Sequence, residues 1–428
     1  MKFKSIRGTK DILPDDSYRW QRVESAIRSV MEVFNYREIR TPVFEETALF
    51  ERGIGEQTDI VGKEMYTFSD KSGTSITLKP EMTAGVMRSY IQNNLGEQQP
   101  LVKVYYIAPM FRQERPQAGR MRQFHQFGAE AIGGLNPAID AEIIALSLEV
   151  YRSLGIKNFE LRINSVGCAL CRSKYRDALQ KYLYPHLEKL TEESRKRFET
   201  NPFRILDSKD EEDRVITKDA PLMKDHLCPA CAEHFTGLQK YLTLLDIDFL
   251  VDGRIVRGLD YYTKTAYEII SKDLGSQDAL AGGGRYDLLV QELGGKQTPS
   301  VGFAAGLERL LMVMEKQKLN IGPAPSPRVF IIAADDGGRQ WSLTKAIEMR
   351  RRGISCDIDF VERSVKSQMR EADRQQAEYV IVIGEDEINR RQVRIKNMVD
   401  GSEEVVGFDR IIDYLLSDGD RGEKGKTS

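Results

Sequence analysis

Two hydrophobic periods alternate along this chain. Trp20, Val23, Ile27, Val30 and Met31 fall at near-helical spacing and predict a helix over residues 18–33. The run LVKVYYIA predicts a strand over 101–108, and residues 122–132 are expected as its antiparallel partner. Pro116 and Gly119 lie between them as turn formers, so the segment reads as a long hairpin. From Cys168 to Phe235 the pattern becomes charge-rich and helical, broken at ETNPFRILDSKDEEDR, which suggests an insertion. An α+β pattern then resumes with a predicted strand over 261–270, the glycine-rich AGGGRYD and a short strand SVGFAAG. The helix LERLLMVMEKQ follows, with Leu307, Leu310, Leu311 and Met314 on one face.

The prolines of NIGPAPSPR, residues 320–328, mark a linker. Beyond it the strands VFIIAA, ISCDIDF and AEYVIVIG alternate with helices over 339–352 and 364–377. A hairpin-like pair, QVRIKNM and SEEVVGF, and a helix over 411–417 complete the segment. That alternation predicts a small α/β domain with a mostly parallel sheet. The expected division is an α+β body over 1–167 and 236–320, a helical insertion over 168–235, a linker over 321–327, an α/β domain over 328–420, and a disordered tail over 421–428.

Composition narrows the functional classes. The chain has 428 residues, 30% of them charged, and a formal net charge of −2, so any polyanion must be met by a local patch. The N-terminal MKFKSIRGTKDILPDD lacks the apolar core of a secretory signal, and no run of 18 apolar residues predicts a membrane span. Five cysteines in such a chain suit a reducing cytoplasm.

The hairpin carries the first candidate chemistry. FRQERPQAGRMRQFHQFGAE holds arginines at 112, 115, 120 and 122. Equal parity places Arg122, Phe124, Gln126, Gly128 and Glu130 on one strand face, and Gln123, His125, Phe127 and Ala129 on the other. Gly128 leaves a gap in which a small ligand could lie between an amide and a carboxylate. Guanidinium forks suit phosphate oxygens, so a polyphosphate near Arg112 beside a small cationic or dipolar molecule near Glu130 would account for the layout. Solvated loop charges are the alternative. VGFAAGLERLL runs from a strand into a helix with Arg309 in its first turn, where unpaired N–H groups and the positive dipole end favour anions.

With LKPEMTAG (residues 78–85) added, the chain resembles the class II aminoacyl-tRNA synthetases, and among them the histidyl-tRNA synthetase family. FRQERPQAGRMRQFHQFGAE resembles motif 2, GFAAGLERL motif 3, and NYREIRTPVFEE, with Pro42, motif 1. RGLDYYT (residues 257–263) and AGGGRYD resemble peptides characteristic of the histidine enzymes, and the likeness extends over essentially residues 1–420. It implies a catalytic domain on an antiparallel sheet, a C-terminal α/β anticodon-binding domain and a homodimer joined through motif 1. It implies that Arg112 grips the ATP α-phosphate, Arg309 the γ-phosphate end, and Arg257 the reacting carboxylate and α-phosphate as the catalytic arginine. Glu81 and Thr83, with Gln126 nearby, would contact the histidine α-amino group. Glu130 and Tyr262, with Tyr261 beside it, would line the imidazole pocket, and Arg115 and Gln117 would face the tRNA acceptor end. In the C-terminal domain Arg350, Arg351, Arg352, Arg390, Arg391, Arg394 and Lys396 are candidate tRNA contacts or solvated charges.

The implied substrates are ATP with Mg²⁺, L-histidine and tRNA(His). Attack of a carboxylate on the α-phosphorus needs no protein nucleophile. It needs two anions positioned together and charge neutralised in the transition state, which suits guanidinium groups and Mg²⁺. A neutral imidazole presents one donor and one acceptor. A buried carboxylate and a tyrosine can satisfy both, and such a site discriminates by roughly 10⁴–10⁵ without editing. Cys168, Cys171, Cys228 and Cys231 form two CxxC pairs at local spacing that suits tetrahedral zinc, provided the fold joins them; four reduced thiols are the alternative. Other readings remain. One is a synthetase-like regulatory subunit of ATP phosphoribosyltransferase, which senses histidine; in its family it lacks the C-terminal domain and degrades the arginines present here. Another class II synthetase fits less well because of RGLDYYT.

Overall fold

The computed structural model describes residues 3–55, 58–117, 119–206, 208, 210–255, 259–275 and 278–417. The expected tail over 421–428 lies outside them. The chain divides into two units, Met1–Ile321 and Gly322–Ser428.

The first unit is built on an eight-stranded sheet. Its order is Arg37–Glu38, Val102–Phe111, Gln123–Ile132, Ser300–Gly306, Ala279–Arg285, Thr263–Ser271, Phe159–Ser165 and Leu250–Val251. Neighbours are antiparallel except at the two edges, where the two-residue strands pair in parallel. The hairpin is longer than its apolar run predicts: pairing continues to Phe111 opposite Gln123, and the Arg112 N–H donates to the Arg122 carbonyl at 2.9 Å. Parity holds along its second strand. Phe127, Ala129 and Ala131 join the main core with Val23, Ile27 and Met31 of the helix Pro14–Val33 and Ile143 and Ile144 of the helix Pro137–Ser153. Ile132 joins a second core on the opposite face with Tyr106, Tyr261, Tyr262 and Tyr286.

The strand predicted over 261–270 begins at Thr263 instead. Tyr261 and Tyr262 turn out of the ladder to pack on each other (ring centroids 4.8 Å apart) and against Tyr286, at 5.4 and 6.3 Å. The glycine run forms a full strand, Ala279–Arg285.

The segment 168–235 is helical, with a small core of its own around Cys171, Tyr175, Leu179, Leu183, Leu190 and Ile205. No break occurs at its expected end. The helix Pro229–Leu244 runs through residue 235, its first turn carrying Cys231 to that core and its later turns Leu238 and Leu242 to the main one.

The C-terminal unit holds a five-stranded sheet in the order Cys356–Ile358, Val329–Ala333, Tyr379–Ile383, Gln392–Asn397 and Glu403–Gly407. The first three strands are parallel and the last two add an antiparallel hairpin. Val329 and Ile331 face one apolar cluster, Phe330 and Ile332 the other, which explains the unbroken apolar run: both faces are covered. A short helix, Glu385–Arg390, has no apolar stripe and escaped the periodicity reading. Cys356 is buried in the first cluster as a small hydrophobe.

Candidate active site

One cleft on the catalytic sheet collects most of the candidates. Glu81, Thr83, Arg112, Gln126, Tyr261, Tyr262 and Arg309 all line it. Glu130 lies beneath this lining, 1% exposed and hydrogen-bonded to Thr83 and Tyr286, which both line the cleft.

The acidic half is held by local structure. Pro80 and Met82 flank Glu81 at the entrance to the helix Thr83–Gln92. The Glu81 carboxylate accepts from the N–H groups of Thr83 at 2.7 Å and Ala84 at 2.9 Å, so it satisfies donors that a helix start leaves open. Burial raises its pKa despite those bonds. The Thr83 hydroxyl donates to Glu130 at 2.8 Å, and the Tyr286 hydroxyl donates to the other Glu130 oxygen. Burial pushes the Glu130 carboxyl up to about 8; the bonds from Tyr286 and Thr83 oppose the rise and nearby Glu81 adds to it.

The expectation about Gly128 needs correction. The space above Gly128 is not open: a Cβ there would strike the Phe303 carbonyl and the Tyr106 hydroxyl, so Tyr106 has taken the gap. The position that makes room for Glu130 is Gly302, where a Cβ would overlap the Glu130 carboxylate and the Tyr286 hydroxyl. Of residues 282–284, only Gly282 lines the cleft; Gly283 backs onto Tyr267 and Phe303, and Gly284 onto Tyr262. Tyr286 itself was missed. Its signal was its place within AGGGRYD, but alternation along one strand cannot show a contact reached from another. Gln126 lines the cleft, and its carbonyl oxygen is buried without a hydrogen-bond partner among the described residues.

The other half is cationic. Arg112 lies over the Phe124 ring at 5.4 Å, its Nε donating to the Pro80 carbonyl at 2.9 Å. Arg309, the third residue of the helix Leu307–Lys316, is anchored to the carbonyls of Gly119 (3.2 Å) and Ala279 (2.8 Å). Burial and then the charges of Arg120 and Arg112 lower its pKa, with Glu114 acting in the opposite sense. Glu114 stands 3.2 Å from Arg120 and 3.7 Å from Arg112, an internal counter-ion where like charges have been gathered.

Arg115 and Gln117 are exposed in the hairpin loop, where Gln117 and Arg120 exchange backbone hydrogen bonds at 3.0 and 2.9 Å. Arg257 lies outside the described residues. His125 falls on the face away from the cleft, paired with Glu308 at 3.0 Å and packed edge-on against Trp20, as its parity predicts for a structural residue. The four candidate cysteines converge, their sulfurs all within 4.8 Å of one another, a group that could hold a metal ion. In the C-terminal unit, Arg350 is engaged with the Cys356 carbonyl and Arg394 with Glu403, whereas Arg351, Arg352, Arg390 and Arg391 are exposed.

A cationic end and an acidic end therefore share one cleft on a mostly antiparallel sheet. That is the architecture of a class II aminoacyl-tRNA synthetase. A family model for histidyl-tRNA synthetase matches residues 8–310, and one for an anticodon binding domain matches residues 331–418. The histidine–tRNA ligase of Caldanaerobacter subterraneus subsp. tengcongensis is 48% identical over 411 residues, covering 96% of this chain and 99% of its own. That of Chloroherpeton thalassium is 52% identical over 401 residues, covering 93% and 94%. The crystal structure of the apo histidyl-tRNA synthetase of S. aureus superimposes with a TM-score of 0.83 at 38% identity, over 96% of this chain and 99% of that one. The chain belongs to the histidyl-tRNA synthetase family.

Proposed function

We infer that this chain is a histidine–tRNA ligase, which activates L-histidine with ATP to histidyl-adenylate and pyrophosphate and then passes histidine to the 3′ end of tRNA(His). The observation that carries the reading is the buried Glu130, held by Thr83 and Tyr286 at one end of a cleft whose other end gathers Arg112, Arg120 and Arg309.

ATP enters as its Mg²⁺ complex. Arg112 takes the α-phosphate and Arg309 the γ-phosphate end, displacing the internal hold of Glu114. The histidine carboxylate attacks the α-phosphorus and pyrophosphate leaves. Arg257 neutralises charge that grows at the reacting carboxylate and α-phosphate, an interaction that strengthens toward the transition state. Gln126 and Glu81 receive the α-ammonium group; the unpartnered Gln126 oxygen supports this role. Glu130 accepts from the imidazole N–H, with Tyr261, Tyr262 and Tyr286 as the pocket walls. An amino acid without that N–H leaves buried Glu130 with only its bonds from Thr83 and Tyr286 and one accepting position unfilled, and its affinity suffers accordingly.

Arg115 and Gln117 face the tRNA acceptor end, and exposed arginines of the C-terminal unit meet the anticodon stem. Val43, Phe44 and Phe68 expose apolar surface around a three-stranded antiparallel sheet, Phe44–Glu46, Ser75–Leu78 and Tyr66–Ser69, which begins within motif 1, and this supports a homodimer through that segment. None of the described helices is long and apolar enough to cross a membrane. Reduced cysteines suit the cytoplasm. A histidine-sensing regulatory subunit is disfavoured by the anticodon-binding match and by the intact Arg112 and Arg309. ATP–pyrophosphate exchange with each of the twenty amino acids, without tRNA, tests the reading: exchange with histidine alone is expected, and no exchange from folded protein would overturn it.

A further inference from the structure

The cysteine cluster has the metrics of a metal site and a physical link to the histidine pocket. Cys168 Sγ lies 3.6 Å from Cys171 Sγ and 3.8 Å from Cys228 Sγ. A tetrahedron with zinc–sulfur bonds of about 2.3 Å has edges of about 3.8 Å. These spacings are too long for a disulfide, whose sulfurs sit about 2.05 Å apart. Cys168 is the residue before the helix Ala169–Leu183, and Cys228 the residue before Pro229–Leu244. Two positive helix ends therefore meet where four thiolates would concentrate negative charge. The Cys228 N–H donates to Cys171 Sγ at 3.1 Å, the bond a thiolate ligand accepts. Cys171 and Cys231 are buried among the few apolar residues of the insertion, a core small enough to need a staple.

The next residue after Cys171 carries the link. Arg172 is half-buried and leaves the insertion to donate to the backbone of the pocket segment: Nη1 to the Asp260 carbonyl at 3.3 Å, Nη2 to the Tyr262 carbonyl, and Nε to the Val166 carbonyl at 3.4 Å. Two backbone bonds tie the same junction to the pocket strand, Lys264 N–H to the Gly167 carbonyl at 2.8 Å and Val166 N–H to the Lys264 carbonyl at 2.7 Å.

We propose that Cys168, Cys171, Cys228 and Cys231 bind a structural zinc ion that fixes the first turn of the Ala169–Leu183 helix, so that Arg172 acts as a positioning residue for the Asp260–Tyr262 wall of the histidine pocket. Only the second half of the proposal rests on reading the cleft as the histidine site; the metal content does not.

The first test is element analysis of the full-length chain, folded and prepared without added metal. About one zinc per chain is expected; less than about 0.2 zinc, or iron in its place, overturns the site. Zinc is then displaced with a mercurial and chelator, and the mercurial is removed with thiol. The KM for histidine in pyrophosphate exchange should rise about 10-fold, with the KM for ATP little changed, and protease should cut more readily within the insertion; added zinc should reverse both changes. Arg172→Lys should keep the zinc and still raise the histidine KM, because one ammonium cannot reach three carbonyls. Zinc that can be removed with no change in histidine KM or proteolysis overturns the coupling. Exchange on the same preparation shows whether histidine is the substrate, so failure of the pocket reading is seen separately.

Discussion

Glu130→Gln isolates the cost of a buried carboxyl beneath the lining of the cleft. The substitution keeps the shape and an acceptor for Thr83 or Tyr286 but removes the charge. In the wild-type chain the folded carboxyl titrates at about 8, against an ordinary value of 4.5, because it is buried. The favourable contribution of that proton is complete below pH 4.5, where both folded and unfolded chains carry it, and is lost as pH rises through about 8. At 1.36 kcal/mol per pH unit, the ceiling on the loss is about 5 kcal/mol, and relaxation or entering water will reduce it to a few kcal/mol. The variant has nothing to titrate there. Thermal unfolding of ligand-free protein at pH 5.5 and pH 8.5 should therefore show the variant gaining on the wild type by about 3 °C or more at the higher pH. Parallel pH dependence of the two proteins would refute the argument that Glu130 is held protonated by burial. The same variant should lose histidine activation by about 10²-fold or more, since the amide cannot hold the imidazole N–H as the carboxylate does.

Arg257→Ala should lower the rate of adenylate formation by about 10²–10³-fold while changing histidine binding little, as measured by single-turnover kinetics and equilibrium titration; equal losses in both would contradict a transition-state role. Arg309→Ala should raise the KM for ATP and lower kcat in pyrophosphate exchange, and an unaltered ATP dependence would remove it from the phosphate grip. Tyr286→Phe keeps the packing on Tyr261 and deletes one donor to Glu130. It should raise the histidine KM by about 10-fold, an interaction of about 1–2 kcal/mol, and a histidine KM within experimental error of the wild type would show that Tyr286 does not hold the carboxylate in the working enzyme.

Several features of the site were legible along the chain because they depend on neighbours in sequence. Parity along the hairpin's second strand placed Glu130 and Gln126 together and turned His125 away, since a strand has only two faces. The strand-to-helix passage through Gly306 placed Arg309 in a first helical turn. The apolar run at Val329–Ala333 announced a strand, and the structure shows both its faces covered. The family resemblance supplied the roles that no pattern carries.

What escaped is what depends on residues meeting from distant parts of the chain. Tyr286 reaches Glu130 across the intervening strand Ser300–Gly306, and it is Gly302, on that strand, that leaves the carboxylate its room. The opening expected above Gly128 is filled by Tyr106 from the paired strand. Tyr261 and Tyr262 precede the ladder, which begins at Thr263, and their rings pack with Tyr286, a residue no local pattern links to them. The two CxxC pairs announced themselves as pairs, but only folding could join them, and nothing in their spacing pointed to Arg172. Local periodicity reports which face a side chain takes; burial, a shifted carboxyl and a cluster of four sulfurs arise from what lies opposite that face, and that is settled when the sheet and the insertion close on each other.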